Sequence, residues 1–188
     1  MSDAAGDATL GAPGAGAPNA EASAAEVPNT DAATLSHVGP HGEARMVDVG
    51  AKPATERFAA AEGAVRMSAA AYALVAENAV AKGDVLAVAR VAGLMAAKRT
   101  AELIPLCHPV PLAHAEVALV LDAALPGVRV RATARTVAGT GVEMEALTAA
   151  AVAMLTVYDM VKGVDRATEL VGVRVVEKRG GRSGDWRA

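Results

Sequence analysis

One stretch near the C-terminal end constrains the fold of this 188-residue chain more than any other. From Ala146 to Val161 it reads ALTAAAVAMLTVYDMV, with Asp159 as its one charge. Alanine, leucine and methionine favour helix, and a helix that is apolar on nearly every side belongs inside a protein. The rest of the fold must therefore be built around this helix. A carboxylate in such a run is costly to bury without a partner, so Asp159 is expected to be sheltered and paired. Lys162, three residues on, lies close enough on the helix surface to be that partner.

The core around the helix has an unusual composition. The chain is 53% hydrophobic but only 2% aromatic, so Ala, Val, Leu and Met must fill the interior of a single domain. Residues 1–34 are mostly Ala, Gly and Pro, with five acids (Asp3, Asp7, Glu21, Glu26, Asp31) and no base. Such a segment cannot bury enough apolar surface to offset its ordering entropy and is expected to be a disordered extension of a 35–188 domain. Because the whole chain carries −3, residues 35–188 carry +2. That suits a small anionic ligand and is far from the basic bias of a nucleic-acid binder. A single cysteine, Cys107, excludes an internal disulfide and agrees with a reducing compartment. No long apolar span with membrane flanks and no secretory signal is read in the sequence. The expectation is a soluble, cytoplasmic protein that binds neither membrane nor nucleic acid.

Periodicity and punctuation divide the domain. Arg45–Lys52 alternates like a short strand, and Thr55–Met67 reads as extended, with a turn at Glu62-Gly63. Ser68 is an N-cap for a helix over Ala69–Ala79, and Asp84 for a second over Val85–Ala101, stopping before Pro105. Ala115–Asp122 and Val128–Val137 read as a hairpin turning at Pro126-Gly127. The apolar helix spans about Val142–Val164, and a last strand covers Leu170–Glu177. This order predicts an α+β fold of split β-α-β type, an antiparallel sheet with helices on one face. With so apolar a chain, the other face is expected to be covered by a second subunit.

Three places carry candidate chemistry. On the apolar helix, Glu145, Asp159 and Lys162 fall within a sector of about 100°. Glu145 and Lys162 nevertheless stand about 25 Å apart along the axis, so a site using both ends needs a second chain. The plain alternative is a structural Asp159–Lys162 pair closing the helix. The loop LIPLCHPVP holds Cys107-His108 between prolines, a setting for proton transfer or phosphate contact. Sequence neighbours in an extended segment point apart, which disfavours a Cys–His nucleophile, and one Cys without matching ligand spacing disfavours zinc. Taken alone, a histidine such as His108 is more often a hydrogen-bonded loop residue than a catalyst. The segment KRGGRSGDW (Lys178–Trp186) offers glycines for close approach to an oxyanion, with Lys178, Arg179 and Arg182 as charge. Its alternative is a solvated, flexible terminus, and Lys82 alone reads as a surface lysine.

Taken together, SHV…GEARMVDVGAK, GDVLAVARVAGLMAAKRTAELIPLCHP, TGVEMEALTAAAVAMLTVYDMVKGVD and VRVVEKRGGRSGDW resemble the molybdenum cofactor biosynthesis protein C family, the cyclic pyranopterin monophosphate synthases. The similarity covers nearly all of 35–187 in a consistent order. It implies a ferredoxin-like fold and a homohexamer, a trimer of dimers, with active sites between subunits. It also implies conversion of 3′,8-cyclo-7,8-dihydro-GTP to cyclic pyranopterin monophosphate with release of diphosphate. Carried onto this sequence, the family's catalytic positions match Asp159, Lys82 and Lys162. Its substrate pocket matches Leu106, Cys107, His108, Met144 and Glu145, with Lys52 and Lys178 as further basic positions. No cofactor or protein-bound metal is implied, and nothing in the sequence indicates whether Mg²⁺ accompanies the triphosphate. Arg182 stands where the family often has Lys, and Gly39-Pro40-His41 replaces a commoner small, acidic turn, so His41 receives no role.

Two other classes fit parts of the sequence. A non-catalytic nucleotide- or pterin-sensing module could share the fold; it would not need an acid sheltered beside a lysine, and it would leave its ligand unchanged. A metal-dependent hydrolase built on Cys107 and His108 lacks ligands.

Overall fold

The computed structural model describes residues 41–188. The expectations for residues 1–34, and for Gly39 and Pro40, lie outside the described residues. The element order is β1 (Thr55–Arg66), α1 (Ala69–Ala76), α2 (Val85–Ala97), α3 (Thr100–Leu103), β2 (His114–Asp122), β3 (Gly127–Ala138), α4 (Glu143–Val161), β4 (Glu169–Arg179) and β5 (Trp186–Arg187). All pairings are antiparallel, and the sheet runs β2-β3-β1-β4-β5. With β3 lying between β1 and β2, the first four strands realise the split β-α-β plan read from the sequence.

β1 is central and pairs along its whole length with β3, from Thr55 opposite Ala138 to Arg66 opposite Gly127. The expected turn at Glu62-Gly63 does not exist, because Gly63 lies inside the strand. Its missing side chain has a packing cause: a Cβ there would stand 2.5 Å from Met154 Sδ on α4. Alternation then sorts the two faces. Ala59, Ala61 and Val65 of β1, with Val128, Val130, Ala132 and Ala134 of β3, are buried beneath the helices. Opposite them, Arg129, Arg131 and Arg135 of β3 alternate with those buried positions, and Arg131 pairs with Glu62 and Glu177. The second face thus mixes these ion pairs with Val120, Val137 and Val171, which are 62%, 58% and 37% exposed.

α4 lies across the sheet and against α2. Ten of its 19 residues are buried, among them Ala146, Ala149, Ala150, Ala153, Met154, Val157 and Val161. By length and mean hydropathy, 1.4, it is apolar enough to cross a membrane, although Glu143, Glu145 and Asp159 interrupt it. Burial of 56% of that stretch against protein accounts for its composition as a core helix. Gly93 of α2 allows close helix approach, since a Cβ there would meet Ala149 O at 2.8 Å.

Local chemistry sets the boundaries. Ser68 Oγ accepts from Ala71 N at 3.3 Å and Asp84 Oδ1 from Ala87 N at 2.9 Å, the two caps read from the sequence. α1 stops at Ala76, short of Ala79, where Asn78 takes a left-handed φ of 53°. α2 ends at Ala97 rather than Ala101 because the buried Thr100 hydroxyl donates to the Ala96 and Ala97 carbonyls and restarts the chain as α3. The hairpin turn lies at 123–126, held by Asp122 Oδ1 accepting from Ala124 N and Leu125 N. Arg45–Val49 is irregular and Gly50-Ala51 makes a turn, so the strand expected over Arg45–Lys52 is absent: its alternating residues join none of the strands of the sheet.

Candidate functional site

The ten residues singled out from sequence fall into two groups at opposite ends of α4. At its C-terminal end, Asp159 lies in the last turn, where unsatisfied carbonyls make a negative charge unfavourable. Two ammonium groups offset this. Lys162 Nζ stands 2.6 Å from Asp159 Oδ1, and Lys82 Nζ stands 2.8 Å from Oδ2. Lys82 also donates to the Asp159 main-chain carbonyl at 2.8 Å, so it holds the helix end as well as the side chain. Hydrogen bonds from Lys162 and Lys82 hold the Asp159 carboxyl down at about 2, and Asp159 in turn raises the Lys162 ammonium.

This acid is paired but not buried. The Asp159 side chain is 55% exposed, with Lys82 and Lys162 exposed to similar degrees. The sheltered carboxylate expected from the apolar run is absent at this position, because the run's last turn carries Asp159 on its outward side, between the buried Val157 and Met160. The buried acid of the helix is Glu145, 4% exposed.

Glu145 belongs to the second group, at the N-terminal end. Burial pushes its carboxyl above the usual range, and the Glu143 charge adds to the effect against a hydrogen bond from its own main chain. Cys107 lies near enough to feel it. Burial first, and then the Glu145 charge, raise the Cys107 thiol, which therefore stays protonated and is poorly placed as a nucleophile. Leu106 and His108 flank it, half-buried, in the rigid loop, which is tied to β3 through Thr136 Oγ1 donating to Pro111 O at 2.6 Å. Met144, half-buried, separates the two glutamates. Lys178 Nζ stands 4.0 Å from Glu143 Oε1 and donates to Ser183 Oγ. Lys52 packs on the approach to α4, its carbonyl 3.3 Å from where a Gly139 Cβ would be.

The Gly-rich segment is folded. Gly180, Gly181 and Gly184 take φ of 83°, 85° and 67°, Gly180 N donates to Asp185 Oδ1 at 2.9 Å, and Trp186 and Arg187 return to pair with β4 as β5. A loose terminus is therefore not what this sequence makes.

Sequence reasoning missed Glu143, Ser183 and Arg57. Glu143 had a signal in the Glu-x-Glu spacing with Glu145. Arg57 had none: its Nε donates to Ala138 O at 3.2 Å and its guanidinium fills the space a Gly181 side chain would need. The two groups do not meet within one chain. Fourteen residues separate Glu145 from Asp159, about 21 Å along the helix.

Comparison with known proteins bears on what such a divided arrangement does. The model of the MoaC family matches residues 46–181. Proteins named cyclic pyranopterin monophosphate synthase from Brucella ovis, Brucella melitensis and Brucella abortus are 59% identical over 152 residues, 81% of this chain and 92% of each relative. The matched span includes both ends of α4, the Cys107 loop and the start of the Gly-rich segment.

Proposed function

This chain belongs to the MoaC family, and on that premise we propose that it is a lyase of molybdenum cofactor biosynthesis. It converts (8S)-3′,8-cyclo-7,8-dihydroguanosine 5′-triphosphate to cyclic pyranopterin monophosphate and releases diphosphate. The observation that carries this reading is the Asp159 carboxylate held between two ammonium groups at one end of α4, with a buried acid at the other.

The reaction needs anchoring of phosphates, proton transfer to ring nitrogen and sugar oxygen, and stabilisation of the leaving diphosphate. With its carboxyl held at about 2, Asp159 is ionised at neutral pH and acts as a base or positioning group rather than an acid. Lys82 and Lys162 carry protons beside it; substrate that displaces one of them from Asp159 receives a cation and, in the ring-opening step, a proton. Glu145, its carboxyl raised by burial, is suited to hold or return a proton, with His108, Cys107, Leu106 and Met144 orienting the substrate. Lys52 and Lys178 contribute positive charge for phosphate. No resident cofactor takes part in this reading.

The substrate must touch both groups, and a single α4 holds them too far apart. A second protomer therefore brings its N-terminal group to the C-terminal group of the first, in a cytoplasmic homohexamer assembled as a trimer of dimers. Val88, Val91 and Met95 support this assembly: they form one stripe along α2 and are 45%, 56% and 50% exposed in the single chain. A partner over the helices would also shelter Asp159.

Single-turnover conversion of the cyclic substrate tests the reaction. Asp159→Asn and Lys162→Ala should each lose at least about 100-fold, the usual range for a positioned acid or base. Full rate in either variant, folded and assembled as the parent, overturns the assignment. Mass spectrometry showing a bound but unaltered nucleotide would instead establish a sensor.

A further inference from the structure

The chain that leaves α4 carries an acid that the reaction above does not use. Asp165 is half-buried, and its main-chain N–H donates back to Val161 O at 3.0 Å, which closes the helix. Its carboxylate takes two amide donors, Ser68 N at 2.6 Å through Oδ2 and Ala167 N at 2.9 Å through Oδ1. The buried Thr168 donates its hydroxyl to the Asp165 carbonyl at 3.0 Å, so the turn itself is fixed. Ser68 is the N-cap of α1, 97 residues away in sequence. A carboxylate is favourable at the start of a helix, and these donors, the Ser68 amide first, hold the Asp165 carboxyl below the usual range.

The segment that begins at Ser68 ends at Lys82, whose ammonium donates to the Asp159 carboxylate and to its main-chain carbonyl, both at 2.8 Å. The end of α4 thus grips α1 and the turns after it at two points, Asp165 at the entry and Asp159 at the exit. α1 has few buried anchors of its own. Of its eight residues only Ala71 and Val75 are buried, and Asn78 and Gly83 take left-handed φ of 53° and 98° on the way to Lys82. The two grips differ in kind. In the proposed reaction Lys82 exchanges Asp159 for substrate, whereas the contact between Ser68 and Asp165 has no reason to open. On these grounds, and resting on that reaction, we infer that Asp165 is a positioning residue: it anchors the start of α1 so that Lys82 stays within reach of Asp159 and substrate when its own ion pair parts. Its effect runs through Lys82.

The test is turnover of the cyclic nucleotide by the full chain, well below the Tm of each variant. Asp165→Ala should lower kcat at least about tenfold, since an ångström of misplacement at a reacting group costs up to about 100-fold. KM should change less than about threefold, because the N-terminal group of the site is untouched. Asp165→Asn, which keeps one carbonyl oxygen for the Ser68 amide, should recover part of the loss. A cycle with Lys82→Ala separates positioning from stability: in that background Asp165→Ala should cost less than about twofold, because no ammonium is left to place. A tie that serves only the fold would lower Tm and leave kcat at the parent's value. That result, or an equal loss with and without Lys82, overturns the inference. If Asp165→Ala does not fold, Asp165→Asn carries the same comparison, with a loss of at least about threefold expected. Turnover by the parent separates the two readings. If the parent converts the nucleotide and Asp165→Ala matches its kcat, only the positioning role falls; if the parent converts nothing, the reaction falls and the positioning role with it.

Discussion

Gly93→Ala tests the packing that brings Lys82 to Asp159. Where α2 crosses α4, a Cβ on residue 93 would stand 2.8 Å from Ala149 O and 3.2 Å from Ala153 Cβ. Ordinary contact begins at 3.4 Å, so the helices would have to part by several tenths of an ångström. In a free helix the same change is favourable by about 1 kcal/mol. Overpacking a close-packed core costs about 1–3 kcal/mol, and main chain yields less readily than a mobile side chain. The net expectation is a destabilisation of about 1–2 kcal/mol, lowering Tm by about 2–8 °C for a domain of this size. Gly163→Ala is the control of opposite sign. No atom lies within 4 Å of its missing Cβ and its φ is not left-handed, so the gain should be about 0.4–1 kcal/mol from a less flexible unfolded chain. Scanning calorimetry at one fixed protein concentration reads both. Lys82 precedes the Asp84 cap of α2 by two residues and reaches Asp159 on α4. Turnover by Gly93→Ala should therefore fall even well below its Tm. An unchanged or higher Tm for Gly93→Ala would refute the claim that this glycine sets the helix spacing.

Three other outcomes follow from the same geometry. The Asp159 carboxyl, held at about 2, keeps its stabilising contacts above its ordinary range near 3.8 and loses them only as pH falls through about 2; the turnover deficit of Asp159→Asn should therefore be the same at about pH 5 and pH 8. Glu145 behaves oppositely. Its raised carboxyl holds a proton longer in the folded state, so stability declines as pH rises from its ordinary value of 4.5 to the raised one. The Tm advantage of Glu145→Gln should accordingly grow as pH rises from about 4 to 7, and a pH-independent difference would contradict a buried, raised acid. Gly180→Ala places a Cβ 2.1 Å from Glu56 O at a φ of 83°, so it should detach the Gly-rich turn. Raised KM for the cyclic nucleotide with little change in Tm is the expected result, and an unchanged KM would remove the turn from the site.

The sequence by itself determined the buried helix, both N-caps, the hairpin and the split β-α-β order, because each is written in local periodicity or in a side chain bonding its own neighbourhood. It also carried the family, through long blocks in a fixed order. It misplaced Glu62-Gly63 as a turn because a strand glycine and a turn glycine look alike until Met154 is seen packed on one of them. Composition pointed to a second subunit over the open sheet face; alternation on β3 puts Arg129, Arg131 and Arg135 on that face and Val128, Val130, Ala132 and Ala134 under the helices. Only the tertiary structure decided that Asp159 is half exposed while Glu145 is buried, that Lys82 crosses 77 residues of sequence to reach Asp159, and that the two groups lie at opposite ends of one helix. Those facts depend on where α2 and α4 cross and how each sits on the sheet. That geometry comes from many weak contacts summed over the core, and no short stretch of residues encodes it.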